Sequence, residues 1–253
     1  MRRIVRLAFP ILVVAAMMAL HATGVAGQPR PRRYEDLTTF FTEWRAFQRP
    51  KLLGGVPDYS RRAMVAQQRA LAAWQRRLAV FDTTGWSIAQ QVDFHVVRAE
   101  LSGLDFDHRV LQPWANNPGF YATVFSDQSD QPAREGPFAV GAVELWSYTF
   151  PLSASDAERV AAGVRVIPAL LQQARTNLTG NQRDIWVYGT KSMRDQRGEL
   201  AQLAARLTTS QGALQAEVSR AAEATDAFVA WLEQQAPSKT GRSEERRVGK
   251  ECA

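Results

Sequence analysis

The chain has a single cysteine in 253 residues, Cys252, next to the last position. The rest of the chain can therefore form no disulfide, no thiolate metal site and no thiol nucleophile, and its stability rests on core burial. Histidine is nearly as scarce, at His21, His95 and His108. A mononuclear zinc enzyme site commonly takes two histidines four residues apart on a helix plus a carboxylate. His95 and His108 are too far apart for that, and no His-Glu-x-x-His occurs. The nucleophile elbow Gly-x-Ser-x-Gly and the phosphate-cradling Gly-x-Gly-x-x-Gly are missing too. The longest apolar run, Leu7 to Leu20, falls short of the roughly 20 residues a spanning helix needs. With 45% hydrophobic and 22% charged residues, the chain belongs with ordinary globular proteins, not with disordered tails, collagen-like rods or multi-span membrane proteins.

The two ends read differently from the middle. Arg2, Arg3 and Arg6 precede the apolar run, which Pro10 interrupts, and Gly24-Val25-Ala26 supplies small residues for a signal peptidase. Residues 1–26 are expected to be a signal peptide cleaved near Ala26, and 27–33 a disordered leader. The product is then periplasmic or secreted and meets the membrane only through its signal. No cysteine lies near the cleavage site, which speaks against a lipid anchor. At the other end 237–253 reads as a disordered tail. Within it, 242–252 (RSEERRVGKEC) resembles the translation of a short-read sequencing adapter, so the natural reading frame is expected to depart near Gly241. The formal charge of +6 belongs largely to these ends. Three arginines lie in 1–26, and four basic with three acidic residues in 242–252, leaving 24 basic against 22 acidic residues between them. A net +2 is no footprint for nucleic acid.

Between the ends, apolar residues recur at helical spacing. Leu37, Phe40, Phe41, Trp44 and Phe47 mark one helix face, closed by Pro50. The segment 52–59 (LLGGVPDY) is a turn-rich connector, and Ser60 caps a helix with Met64, Leu71 and Leu78 inward. Trp74 extends that stripe and Gln67 breaks it. Arg61, Arg62, Arg69, Arg76 and Arg77 occupy the other side and read as a solvated face. Ser87 opens a third helix to about Leu111, with Val92, His95/Val96, Ala99 and Leu104/Phe106 expected inward and His95 expected to be a core histidine. Pro113 ends it.

Ser155-Asp156-Ala157-Glu158 has capping-box spacing for a fourth helix, which Pro168 interrupts or follows with a fifth ending at Asn177. Helices over 182–207 and 211–235 complete the set. The second turns Leu214, Val218, Ala221, Thr225, Phe228/Val229 and Leu232 inward. Six to eight helices and no β-run of consequence predict an all-α, irregular multi-helix assembly over 34–236.

Catalytic candidates do not emerge from the residues. Asp105, Asp107 and His108 form an acidic cluster that reads as a helix end with surface charge. Asn177-Leu178-Thr179 fits a glycosylation triplet. The candidates for lining a substrate cleft are Trp114, Asn117, Phe120 and Tyr121. Asn117-Pro118 biases the backbone toward extended or turn geometry, and the alternative is that these aromatics seal a helix–loop junction.

The landmarks 55–60 (GVPDYS), 96–106 (VVRAELSGLDF), 117–121 (NPGFY), 167–171 (IPALL) and 174–178 (ARTNL) stand in an order that resembles the bacterial exported domain of unknown function 885 family, over most of 34–235. The resemblance implies the N-terminal part of a mainly helical, zincin-like fold in a protein roughly twice this length. It also implies a zinc-dependent peptidase, its metal held by two helical histidines and a downstream carboxylate in the C-terminal half, with a motif glutamate deprotonating the metal-bound water. None of those residues matches a position here, so no catalytic residue and no metal ligand is carried over. The chain itself is expected to hold no cofactor and to be inactive alone, with zinc implied only for the full-length parent. Its partners would be the missing C-terminal half and, in the whole protein, a peptide substrate. The alternative is a complete periplasmic helical binding or scaffolding module without catalysis.

Overall fold

A computed structural model describes residues 33–128, 141–208 and 211–242. The expected signal peptide, the leader up to residue 32 and the stretch 243–253 lie outside these. The described chain is all-α, with seven helices longer than ten residues: α1 (Tyr34–Gln48), α2 (Arg61–Ala79), α3 (Ile88–Phe106), then, after the four-residue α4 (Pro113–Asn116), α5 (Ala154–Arg165), α6 (Ile167–Asn177), α7 (Arg183–Arg206) and α8 (Gly212–Gln235). Strand is confined to two-residue ladders. β1 (Leu52–Leu53) pairs antiparallel with β2 (Val56–Pro57), and β3 (Val124–Phe125) pairs parallel with β4 (Val143–Glu144). The connector at 52–57 is thus a two-residue hairpin. Gly54 and Gly55 at φ 59° and 87° supply the positive dihedrals such a turn needs.

Apolar residues collect in two cores. The first joins α1, α2 and α3 through Leu37, Phe40, Trp44, Leu71, Leu78, Val97, Leu101 and Leu104. It is rich in rings: Trp74 meets Phe40 edge-on at 5.3 Å and Trp44 at 5.7 Å. The second core is built around α8, which packs against α5, α6 and α7. Its inward residues Leu214, Val218, Ala221, Thr225, Phe228 and Leu232 follow helical spacing and are all buried. Helix α2 belongs to both cores, giving Met64 to the second and Leu71 and Leu78 to the first.

Four local expectations are corrected. The inward face of α3 carries Val97, Leu101 and Leu104, continuing to His108, while Val92, His95, Val96, Ala99 and Phe106 face out. Only Leu104 was placed on the right side. The helix is apolar on both flanks, so its phase was set by the rings of α1 and α2 rather than by its own pattern. His108, not His95, is the core histidine.

The cap of α5 is Ser153, whose Oγ accepts from the Asp156 amide at 3.1 Å and donates to the Asp156 carboxylate at 2.7 Å. Ser155 is therefore already inside the helix. The same serine-to-acid spacing occurs two residues earlier, and the earlier pair wins. Pro168 begins a helix: α5 ends at Arg165 and α6 opens at Ile167 with the proline in its first turn, where its missing N–H costs nothing.

Residues 236–242, at the start of the expected tail, pack back onto the beginning of α7. Ala236–Ser238 form a 3₁₀ turn, and Gly241 N–H donates to Asn181 O at 2.8 Å while its carbonyl accepts from Arg183 at 2.9 Å. Lys239 closes the join by donating to Gly180 O at 2.8 Å and standing 3.9 Å over the Trp186 ring. A charge-rich composition concealed these contacts. Among the described residues no helix is long and apolar enough to cross a membrane.

Candidate functional site

The candidate segment follows a helical reversal. A π-helical turn (Asp107–Leu111) extends α3, Gln112 turns the backbone left-handed at φ 43°, and Pro113 starts α4. Asn117, extended as the residue before a proline must be, is followed by the 3₁₀ turn Pro118–Tyr121, and its Oδ1 accepts from the Gly119 amide at 2.9 Å. Trp114 and Tyr121 are buried, whereas Asn117 and Phe120 are half-buried. The Tyr121 hydroxyl donates to Trp114 O at 2.6 Å, so the phenol is tied to the backbone of α4 across the loop.

Other segments converge here. Asn177 at the end of α6 donates its Nδ2 to Tyr59 O at 2.8 Å and to the Tyr121 hydroxyl at 3.0 Å. Gln173, one turn earlier, accepts from the Tyr59 amide at 2.6 Å and donates to Pro57 O at 3.1 Å. The Tyr59 ring stands edge-on to Phe120 at 4.7 Å. Burial pushes both phenols well above their usual range, so each stays a neutral hydroxyl and neither serves as a base at physiological pH. Since Asn177 spends its amide on these bonds inside the fold, that amide is not displayed as a sugar acceptor. All four cleft candidates are thus brought together, joined by Tyr59, Gln173 and Asn177. Tyr59 stood in the sequence as part of the 52–59 connector and Asn177 as a helix end and glycosylation triplet, both also as family landmarks, and neither pattern pointed to this junction. Gln173 carried no signal, because a glutamine on a helix has none until its partner is known.

The turn sits against α7 at a glycine. A Cβ at Gly189 would stand 2.6 Å from Gly119 N and from Pro118 Cδ, and 2.8 Å from Asn117 Oδ1. Only the absence of a side chain lets the 117–119 backbone rest on the helix. Asn117 is therefore engaged twice, as the cap of the turn and as part of this contact.

The titratable cluster does not form a metal centre. His108 Nε2 lies 2.9 Å from Gln67 Oε1, and Gln67 Nε2 donates to Phe47 O and Gln48 O, both at 3.2 Å. Because that amide is oriented by its two donations, its oxygen faces the ring and the histidine is the donor. Burial lowers the His108 pKa, opposed by the nearby Asp105 charge. The Asp105 carboxylate is turned away to Arg109, at 2.7 Å. Burial raises Asp107 to about 6. His95 is exposed on the outer face of α3. Among the described residues no three His, Cys, Asp or Glu side chains stand together as a metal site would require. The donor set does not fit a zinc ion.

Two further features lie on the surface. Arg61, Arg62, Arg69 and Arg76 are exposed, while Arg77 pairs with Glu43 at 2.5 Å and lies 4.3 Å over Trp74. A shallow groove of about 650 Å³ lies between the start of α7 and residues 240–242, bordered by Arg183, Asp184, Val187, Tyr188 and Lys191.

No family model matches the chain, and no curated protein does. A solved structure is similar to it: a protein from Shewanella oneidensis described as a lipoprotein, of unknown function. The two share 17% of residues with a TM-score of 0.54, over 80% of this chain and 36% of the other. The likeness lies in the fold. This chain spans little more than a third of the length of that neighbour.

Proposed function

We propose that this chain is the N-terminal helical portion of an exported protein of the zinc-metallopeptidase-like type, related to the domain of unknown function 885 family. In this reading it forms one wall of a substrate cleft and supplies none of the metal ligands. The observation that carries the reading is the unequal coverage: most of this chain corresponds in fold to a minor part of a much longer one. Of the two described histidines, His95 faces outward and His108 is committed to Gln67, so in this reading the described part offers recognition surface and scaffolding.

Export is supported by the neighbour's description as a lipoprotein and by the pattern of residues 1–26. No cysteine stands near Ala26, so the form this reading expects is periplasmic or secreted rather than lipid-anchored. Within the wall, Asn117 and Phe120 are the accessible members of the aromatic junction, and a peptide reaching it meets them first.

The test is the gene itself. Reading the locus past the Gly241 codon is expected to give a continuous frame containing a histidine-rich helical zinc motif. A natural stop at that codon removes the proposal and leaves a self-contained helical module. Zinc content and peptidase assays on the extended product then decide the reaction class. An extended protein that binds no zinc and cleaves no peptide refutes the peptidase reading while keeping the fragment reading.

A further inference from the structure

Among the described helices, the outer face of α3 is the most extensive exposed apolar surface. Ile88 is 81% exposed, Val92 52%, Val96 53% and Phe106 47%. These residues, with the exposed Ala99, recur at three- to four-residue multiples down the whole helix, opposite the Val97–Leu101–Leu104 face that enters the first core. Solvated faces of helices are polar; this one carries a second apolar stripe, with exposed His95 and Ser102 along its border.

The charges along α3 are unevenly answered. Asp93 accepts from the Tyr34 hydroxyl at 2.6 Å, Glu100 from Gln48 at 3.2 Å and Arg45 at 3.4 Å, and Asp105 from Arg109. Arg98 is the one charged side chain of α3 with no ion pair or side-chain hydrogen bond among the described residues. What complements this face is an apolar surface, and Arg98, exposed on the flank of the helix beside the stripe, can take a carboxylate at its edge.

Area decides between a second copy and a covalently linked partner. The stripe runs from Ile88 to Phe106, about 27 Å at the helical rise, and is roughly 10 Å wide, on the order of 300 Å² per side. Stable association of separate chains buries about 800 Å² per partner. A contact of this size holds when a tether supplies the encounter, as between helices of one chain.

We infer that the outer face of α3 is the packing surface for the further part of the same polypeptide, docked through an apolar helix face that brings an acidic residue to Arg98. This rests on the reading that the chain belongs to a longer protein, which the fold match over 36% of the neighbour supports. Residues Ile88, Val92, Val96, Ala99 and Phe106 are then interior positions of the whole protein.

The test uses the intact protein expressed from the extended locus. Single cysteines are placed at Val92→Cys and Ala99→Cys on the stripe, and at Val80→Cys, 59% exposed beyond the end of α2. Alkylation at 92 and 99 is expected to be at least about tenfold slower than at 80 in native buffer, the three converging in denaturant. Equal native rates at 80 and at both stripe positions overturn the inference even though the locus continues. A locus ending at Gly241 overturns it together with the proposed function. Concentration-dependent dimerisation that Val92→Glu abolishes assigns the face to a second copy, and that also overturns it. Two stripe positions are used so that a folding defect in one variant leaves the other to decide.

Discussion

Gly189 and Asn177 carry more of the structure than their size suggests. Gly189→Ala would place a methyl inside contact distance of the 117–119 backbone. It is expected to destabilise by about 2–3 kcal/mol, as overpacking of a tight site does, read as a lowered denaturant midpoint. Asn177→Ala leaves the Tyr59 carbonyl without its amide donor and removes a bond to the Tyr121 hydroxyl. A loss of about 1–3 kcal/mol is expected, and unchanged stability would show that the three segments are not held by that amide. Asp107 works in the opposite sense. Its carboxyl, raised to about 6 by burial, holds a proton more tightly folded than unfolded, so stability falls as pH rises from about 4 to 6 and the penalty persists above that. Asp107→Asn is expected to stabilise by about 1–2 kcal/mol at pH 7.5, after allowance for partial solvent screening. The gain should vanish near pH 4. His108 tilts the profile the other way, because a folded imidazole that resists protonation loses stability as pH falls below about 6.5. Comparing variant and parent at each pH cancels that contribution.

Among the elements, α8 was the most legible and α3 the least. A single apolar stripe on α8 allowed one phase, and its six inward residues are those that spacing names. Phe228→Ala on that face is expected to cost about 3–5 kcal/mol, measured by chemical unfolding. On α3, Val92, Val96, Val97, Leu101, Leu104 and Phe106 offer two stripes. Periodicity alone cannot choose between them, because either satisfies a 3.6-residue repeat. The aromatic residues of α1 and α2 made the choice. The cap of α5 shows the same limit on a smaller scale: two overlapping serine–acid pairs compete, and Ser153 closes the turn.

At the scale of the whole molecule, two cores share α2, and the rings report on each. Trp44 and Trp74 lie in the first, Trp186 and Trp231 in the second. Because Met64 and Leu71 stand two turns apart on one helix yet serve different cores, unfolding of either removes support from the other. A single transition is expected, with tryptophan fluorescence and far-ultraviolet dichroism coinciding. Non-coincident curves would show two separable units. The candidate site belongs to this scale as well. Its four aromatic and amide residues could be read as a cluster because they are close in sequence. Tyr59, Gln173 and Asn177 reach them from more than fifty residues away, and no local pattern announces a contact of that separation.

The sequence by itself determined the helical class, the break at Pro113, the caps at Ser60 and Ser87, and the scarcity of metal-ligating side chains. Each of these follows from local backbone chemistry or from residue count. The tertiary structure alone decided which face of α3 is buried, that His108 rather than His95 enters the core, that residues 236–242 return to the start of α7, and that three distant segments meet at Tyr59. Those outcomes depend on which surfaces compete for the same partner, and that competition exists only once the helices are packed.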